Sequence, residues 1–202
     1  APGTVNAAGT INTTNKQMDI GAVTLTAATT FDTGNAAAGI LNIGAVTGAT
    51  HSLTLDSGST SGATIGLTSM TGSGGLTIRD AGDLATIGSI GDATTKGNVT
   101  ITDSSAGVTF NANVDAATFT ITDTTDAAVI TFSGDTVDIH TAFNPNNATG
   151  NEAYGVTINT RTFNAAGDTN FLNTGTVILG NEADDVLTFT GGLGVTAPGT
   201  VN

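Results

Sequence analysis

The chain has no cysteine, no tryptophan, one tyrosine and three prolines among 202 residues. It has only four basic residues, Lys16, Arg79, Lys96 and Arg161, against 17 acidic ones, for a net charge of −13. Each scarcity removes a class of protein. Without cysteine there is no disulfide scaffold and no thiolate zinc site. With so few basic residues no positive patch can form to bind a phosphate backbone, which excludes a nucleic-acid partner. An anionic membrane surface would repel the chain. No apolar run is long enough to span a bilayer, so membrane insertion is not expected. No signal-peptide pattern and no initiator Met occur, and the first residues stand in mid-pattern, so the sequence reads as a segment excised or processed from a longer chain. No amphipathic run of ten or more residues is present, which argues against an α/β fold.

What is abundant is threonine, about a fifth of the chain, with 28 glycines. Charged residues are sparse and mean hydropathy is +0.16, so the chain is not of the disordered class. Threonine alternates with Val, Ile, Leu and Phe in short runs: residues 99–102, 108–110, 119–122 and 129–132. That two-residue period belongs to half-buried strands, with β-branched Thr facing outward. Gly, Asn, Asp and Ser between the runs make turns. Each run is too short to stand alone, so many must stack.

One signature, apolar-Thr-apolar followed by Asp, recurs at Leu53–Asp56, Leu76–Asp80, Val99–Asp103 and Phe119–Asp123. A second series lies between its members, at Ile65/Leu67, Ile87/Ile90, Val108/Phe110 and Ile130/Phe132. Both advance by roughly 20–24 residues, a solenoid step. The reading is an all-β fold: a single parallel, right-handed β-solenoid of about nine coils. An antiparallel sandwich is the rival, since it also has short, closely spaced strands. The solenoid places Leu55, Ile78, Ile101, Ile121 and Ile139 in one inner ladder. Val137/Ile139, Val156/Ile158 and Val177/Leu179 continue the first series, and Leu187/Phe189 the second. Residues 142–155 read as an inserted loop, because Pro145 cannot donate to a ladder. Asn144, Pro145, Asn146, Asn147 and Tyr154 in that loop are candidate contacts for a surface or glycan partner.

The ends carry a further signal. Residues 197–202, Ala197-Pro198-Gly199-Thr200-Val201-Asn202, repeat residues 1–6, Ala1-Pro2-Gly3-Thr4-Val5-Asn6. Six identical residues imply a tandem repeat of about 196 residues, so residues 1–202 are one continuous unit and 197–202 begin the next copy. These twelve residues are the expected polymer junction, with identical copies of the chain as partners.

Other sites are weak. His51 and His140 are isolated and read as turn and strand-end residues. Asp80, Asp83 and Asp92, and Asp123, Asp126, Asp135 and Asp138, form loose acidic strings. Asp184 and Asp185, in Gly180–Leu187, faintly resemble a calcium-binding nonapeptide repeat, and calcium is the one cofactor to consider. No basic residue or histidine is near them in sequence, as a polysaccharide-cleaving carboxylate pair would require, so the chain is not expected to be an enzyme. Thr24/Thr26, Thr100/Thr102 and Thr188/Thr190 fit an ice-binding array locally, but other rungs carry Gly, Asp or Arg. Asn12, Asn98 and Asn147 begin glycosylation sequons.

The Thr-alternating strands with Gly, Asn and Asp corners, such as residues 97–110, and the phrase Leu187-Thr188-Phe189-Thr190-Gly191-Gly192 resemble the β-strand repeats of very large bacterial surface proteins, filamentous-haemagglutinin-like adhesins and autotransporter passengers. The resemblance covers nearly the whole chain. It implies an extracellular, cell-surface β-helix acting as a fibre, stalk or adhesin, and it brings no catalytic residues.

Overall fold

The structure, a computed structural model, describes residues 3–122, 124–125, 127–146 and 153–202. Among these there is no helix; strands run from Val5–Asn12 to Thr200–Val201. Every pairing is parallel, and nearly all link strands one turn apart. The chain is a β-solenoid of about eight turns, not a barrel and not a sandwich. At about 4.8 Å per turn the coil is roughly 40 Å long.

Each turn lays down three strand segments, so the coil has three faces rather than the two visible in the sequence. Face one carries the Leu53–Gly58, Leu76–Ala81 and Val99–Ile101 strands. Its inner column runs Phe31, Leu55, Ile78, Ile101, Ile121, Pro145. Face two stacks Ile20, Ile43, Leu67, Ile87, Phe110, Phe132, Ile158 and Leu179. Face three stacks Val5, Val23, Val46, Met70, Ile90, Val114, Val137, Phe163 and Leu187.

The columns form because alternate residues of each short strand point inward, and the next turn repeats the pattern in register. The inward residues are fully buried, for example Leu55, Ile78, Ile101 and Ile121 at 0% exposure. Outward, Thr10, Thr30, Thr54, Thr77, Thr100 and Thr120 form one unbroken row along face one. The interior changes along the axis. Leu, Ile, Val and Met, with Phe31, fill the N-terminal turns, while Phe110, Phe119, Phe132, Phe143, Phe163 and Phe171 fill later ones. Successive rings lie 5.0–5.9 Å apart, mostly edge to face.

Three sequence expectations change. Ile139 does not join the ladder of Ile121; it stacks on Ala116 and Ala165 in face three. Val156/Ile158 and Val177/Leu179 belong to face two, and Leu187/Phe189 to face three. Of the loop expected at 142–155, residues 142–145 belong to the Thr136–Pro145 strand, Gly155 opens the next strand, and 147–152 lie outside the described residues. Phe143 and Pro145 point inward and are buried, and Pro145 pairs with Ile121. Proline is tolerated there because it ends its strand and its carbonyl still accepts from Leu172 N–H, so one donor is lost. Turn length varies, from 18 residues between Val5 and Val23 to 26 between Ile130 and Val156, which is why a fixed step loses phase.

Candidate functional site

Two edges of the coil are unpaired. At the N-terminal edge, Val5–Asn12 pairs only with Val23–Asp32, and Met18–Ile20 only with Leu41–Thr47. At the C-terminal edge, Val186–Phe189, Leu193–Gly194 and Thr200–Val201 each pair only with the strand one turn earlier. An open parallel edge presents a row of free N–H and C=O groups. The apolar columns also surface there. At the C-terminal edge Leu193 is 43% exposed and Val201 45%, against values near zero for their inward counterparts one turn earlier, Thr169 and Val177. None of these edge strands contains Lys, Arg or Pro, the usual devices that blunt an edge.

The repeated hexapeptide bears on these edges, but its copies are placed differently. Val5 and Asn6 lie on face three, paired with Val23 and Thr24. Thr200 and Val201 lie on face two, paired with Thr176 and Val177. Asn202 N–H donates to Val177 O, and Gly199 N–H to Thr174 O. Gly3, Thr4, Ala197 and Pro198 flank these strands, and Ala1 and Pro2 lie outside the described residues. Identical sequence therefore occupies two different positions around the coil.

The candidate partner loop is largely closed by the core. Tyr154 is fully buried, and its hydroxyl donates to the carbonyl of Asn146. Asn173 Nδ2 donates to Tyr154 O at 2.9 Å. Asn144 donates to Thr120 Oγ1 at 3.4 Å, continuing the outward threonine row. Tyr154 and Pro145 are thus buried in the core, and Asn147 lies outside the described residues, as do Asp123 and Asp126.

Some acidic side chains stack turn on turn and are met by the few basic ones. Asp32, Asp56 and Asp80 stack at one corner of face one, where like charges oppose each other. Arg79 Nε reaches Asp56 at 2.6 Å, and Arg79 Nη2 lies 4.0 Å from Asp32. Asp80 keeps no such partner: Oδ1 is buried without a hydrogen bond. Desolvation, then Asp103 and Asp56, push its pKa up to about 6. Asp115 and Asp138 also stack in register. Asp115 is met by His140 at 2.8 Å and Lys96 at 3.6 Å, and Asp138 accepts from Asn164 Nδ2 at 2.6 Å. The calcium candidates act locally. Asp185 accepts from the N–H groups of Asn181 and Glu182, capping a turn, and Asp184 lies 4.0 Å from Arg161. Among the described residues no three His, Asp or Glu side chains are gathered to hold a metal.

A shallow groove follows the corner between faces two and three. Its N-terminal part, about 650 Å³, is floored by Gly21, Gly44, Gly66 and Gly88. The C-terminal part, about 620 Å³, is lined by amides and carboxylates including Asn113, Asp135 and Asn159, and Asn111 lines both.

Among the described residues no helix is long and apolar enough to cross a membrane. The fold is that of a β-solenoid, with sequence-level repetition in each turn. No family model, characterised protein or solved structure matches the chain.

Proposed function

We propose that this chain is a structural unit of an extracellular filament or sheath, stacking end to end with copies of itself into a longer β-solenoid rod. The observation that carries this reading is the pair of open edges, both with unpaired strands, the C-terminal one with apolar columns that surface at Leu193 and Val201. The edge strands stay in register with the inner columns of the coil. The sides favour axial over lateral growth. They carry a net charge of −13 and outward threonines, so flank-to-flank contact is repelled. The setting outside the cell is the one expected of Thr-rich surface repeats, and it belongs to the same proposal.

Sedimentation velocity over a wide range of concentrations, with negative-stain images of the same samples, tests the reading. The expected result is growth of particles in length at constant width. A monomer that stays soluble and unassociated at millimolar concentration would overturn it.

A further inference from the structure

The two open edges fit each other face for face. The C-terminal edge rises through Val186–Phe189 on face three, Leu193–Gly194 on face one and Thr200–Val201 on face two. The N-terminal edge rises in the same order: residues 5–7 on face three, 9–12 on face one, then Met18–Ile20 on face two. The step in each helical ramp falls at the same corner, between faces two and three. A second copy can therefore sit on the first without rotation, three strands on three.

We propose that the joint between copies is this in-phase contact, with Val5–Asn12 and Met18–Ile20 of one copy added as the next turn on the C-terminal edge of another. The proposal rests on the end-to-end reading above and fixes its register. The internal columns dictate which residues meet. On face three, Val5 occupies the column of Leu187, and Ala7 that of Phe189, so a small side chain covers a large one. On face two, Met18 occupies the column of Val201. Outward, Asn6 stands over Thr188, and no acidic residue stands over another on that face. Strand addition supplies backbone hydrogen bonds across the joint, and the apolar columns supply burial.

This register differs from the one the hexapeptide alone would dictate. Treating residues 1–6 as equivalent to 197–202 moves Val5 from face three to face two. The N-terminal edge would then be turned by one face, with Asn6 over Asn202.

Engineered disulfides separate the two, because the chain has no cysteine of its own. Neighbouring turns place Cα atoms about 4.8 Å apart, within reach of a disulfide. The variant Asn6→Cys with Thr188→Cys reports the in-phase joint, and Asn6→Cys with Asn202→Cys reports the turned one. All three sites are exposed, and thermal melts check that each variant folds. The ends of one coil are too far apart to bond to each other. The expected result is an oxidation ladder of dimers, trimers and longer species for the first variant only, lost on adding Leu193→Asp. A ladder from the second variant, or concentration-dependent growth with a ladder from neither, overturns the in-phase joint while leaving end-to-end stacking in place. No ladder and no association overturn both.

Discussion

Phe110 and Phe132 stack ring on ring across one turn of the coil, with centroids 5.4 Å apart and planes 18° from parallel. They pair in register on face two, so the backbone ladder and the ring contact reinforce each other. Phe132 also meets Phe119, Phe143 and Phe163 edge-on at 5.0–5.9 Å. It is the hinge of the aromatic interior. Phe132→Ala should destabilise the chain by about 3–5 kcal/mol, since a narrow coil held by ladders on three sides cannot collapse around the void. Phe189→Ala, at the half-covered end, should cost much less. Urea denaturation of the two variants gives the comparison; equal losses would show that the ring cluster adds nothing.

Inward and outward positions make a second contrast on face one. Ile101 is fully buried between Ile78 and Ile121, while Thr100, its neighbour, points out in the threonine row. Ile101→Asp should cost at least about 3 kcal/mol, because it buries a charge with no partner. Thr100→Lys should stay within about 0.5 kcal/mol. Hydrogen exchange resolves the effect turn by turn, with protection lost first in the turns beside residue 101. Similar losses from both variants would reverse the assigned facing.

The parallel coil was legible in the sequence because alternation and spacing agree wherever turns are regular. From Leu53 to Ile121 the apolar-Thr-apolar phrase recurs without interruption, and those residues do share one column. The third face was not legible as a separate series. Its strands mix Asp and Ala into the alternation, as in Val114-Asp115-Ala116, or run on from face two around a tight corner, as in Leu41–Thr47. Its members were therefore absorbed into the other two. The misplacement of Ile139 follows from the same cause, compounded by Pro145: a proline in the true column reads as a break. The edges were legible as a repeat of six residues, but not their faces. The face of Val201 depends on the summed length of every preceding turn.

The acidic corner sets a pH dependence. An ordinary aspartate titrates near 3.8, and in the fold Asp80 is pushed to about 6. Below pH 3.8 both folded and unfolded chains hold this proton. Between 3.8 and 6 only the folded chain holds it, so stability falls as pH rises through that window and stays lower above it. Asp80→Asn removes the charge and should flatten this slope. The residue is part-exposed, so screening leaves an effect on the order of 1 kcal/mol or less. That is a rise in Tm of at most about 2–4 °C at pH 7.5, with no gain at pH 3.5. Calorimetry at the two pH values is decisive, and an equal shift at both would exclude the titration of Asp80 as the cause.

Glycine is required where turns come closest, and Gly82 and Gly21 separate this requirement from ordinary flexibility. A Cβ on Gly82 would stand 2.0 Å from the carbonyl oxygen of Thr60 and 2.6 Å from its carbon, in the backbone of the preceding turn. No rotamer relieves that overlap, so Gly82→Ala must push two turns apart and break ladder bonds near Ala81 and Asp83. A loss of about 2 kcal/mol or more is expected. Gly21 lies at the other extreme, with nothing within 4 Å of an added Cβ and no left-handed backbone. Gly21→Ala should be neutral or stabilise by about 0.4–1 kcal/mol, because alanine restricts the unfolded chain. The solenoid makes the contrast informative. At Gly82 the turns are held about 4.8 Å apart by the ladder, whereas Gly21 follows the edge strand Met18–Ile20, with no described turn before it to meet an added methyl group. Thermal melts of the two variants measure it directly. A mild Gly82→Ala would mean that the corner at Thr60 can move outward, and that the spacing between turns there is set by the strands alone.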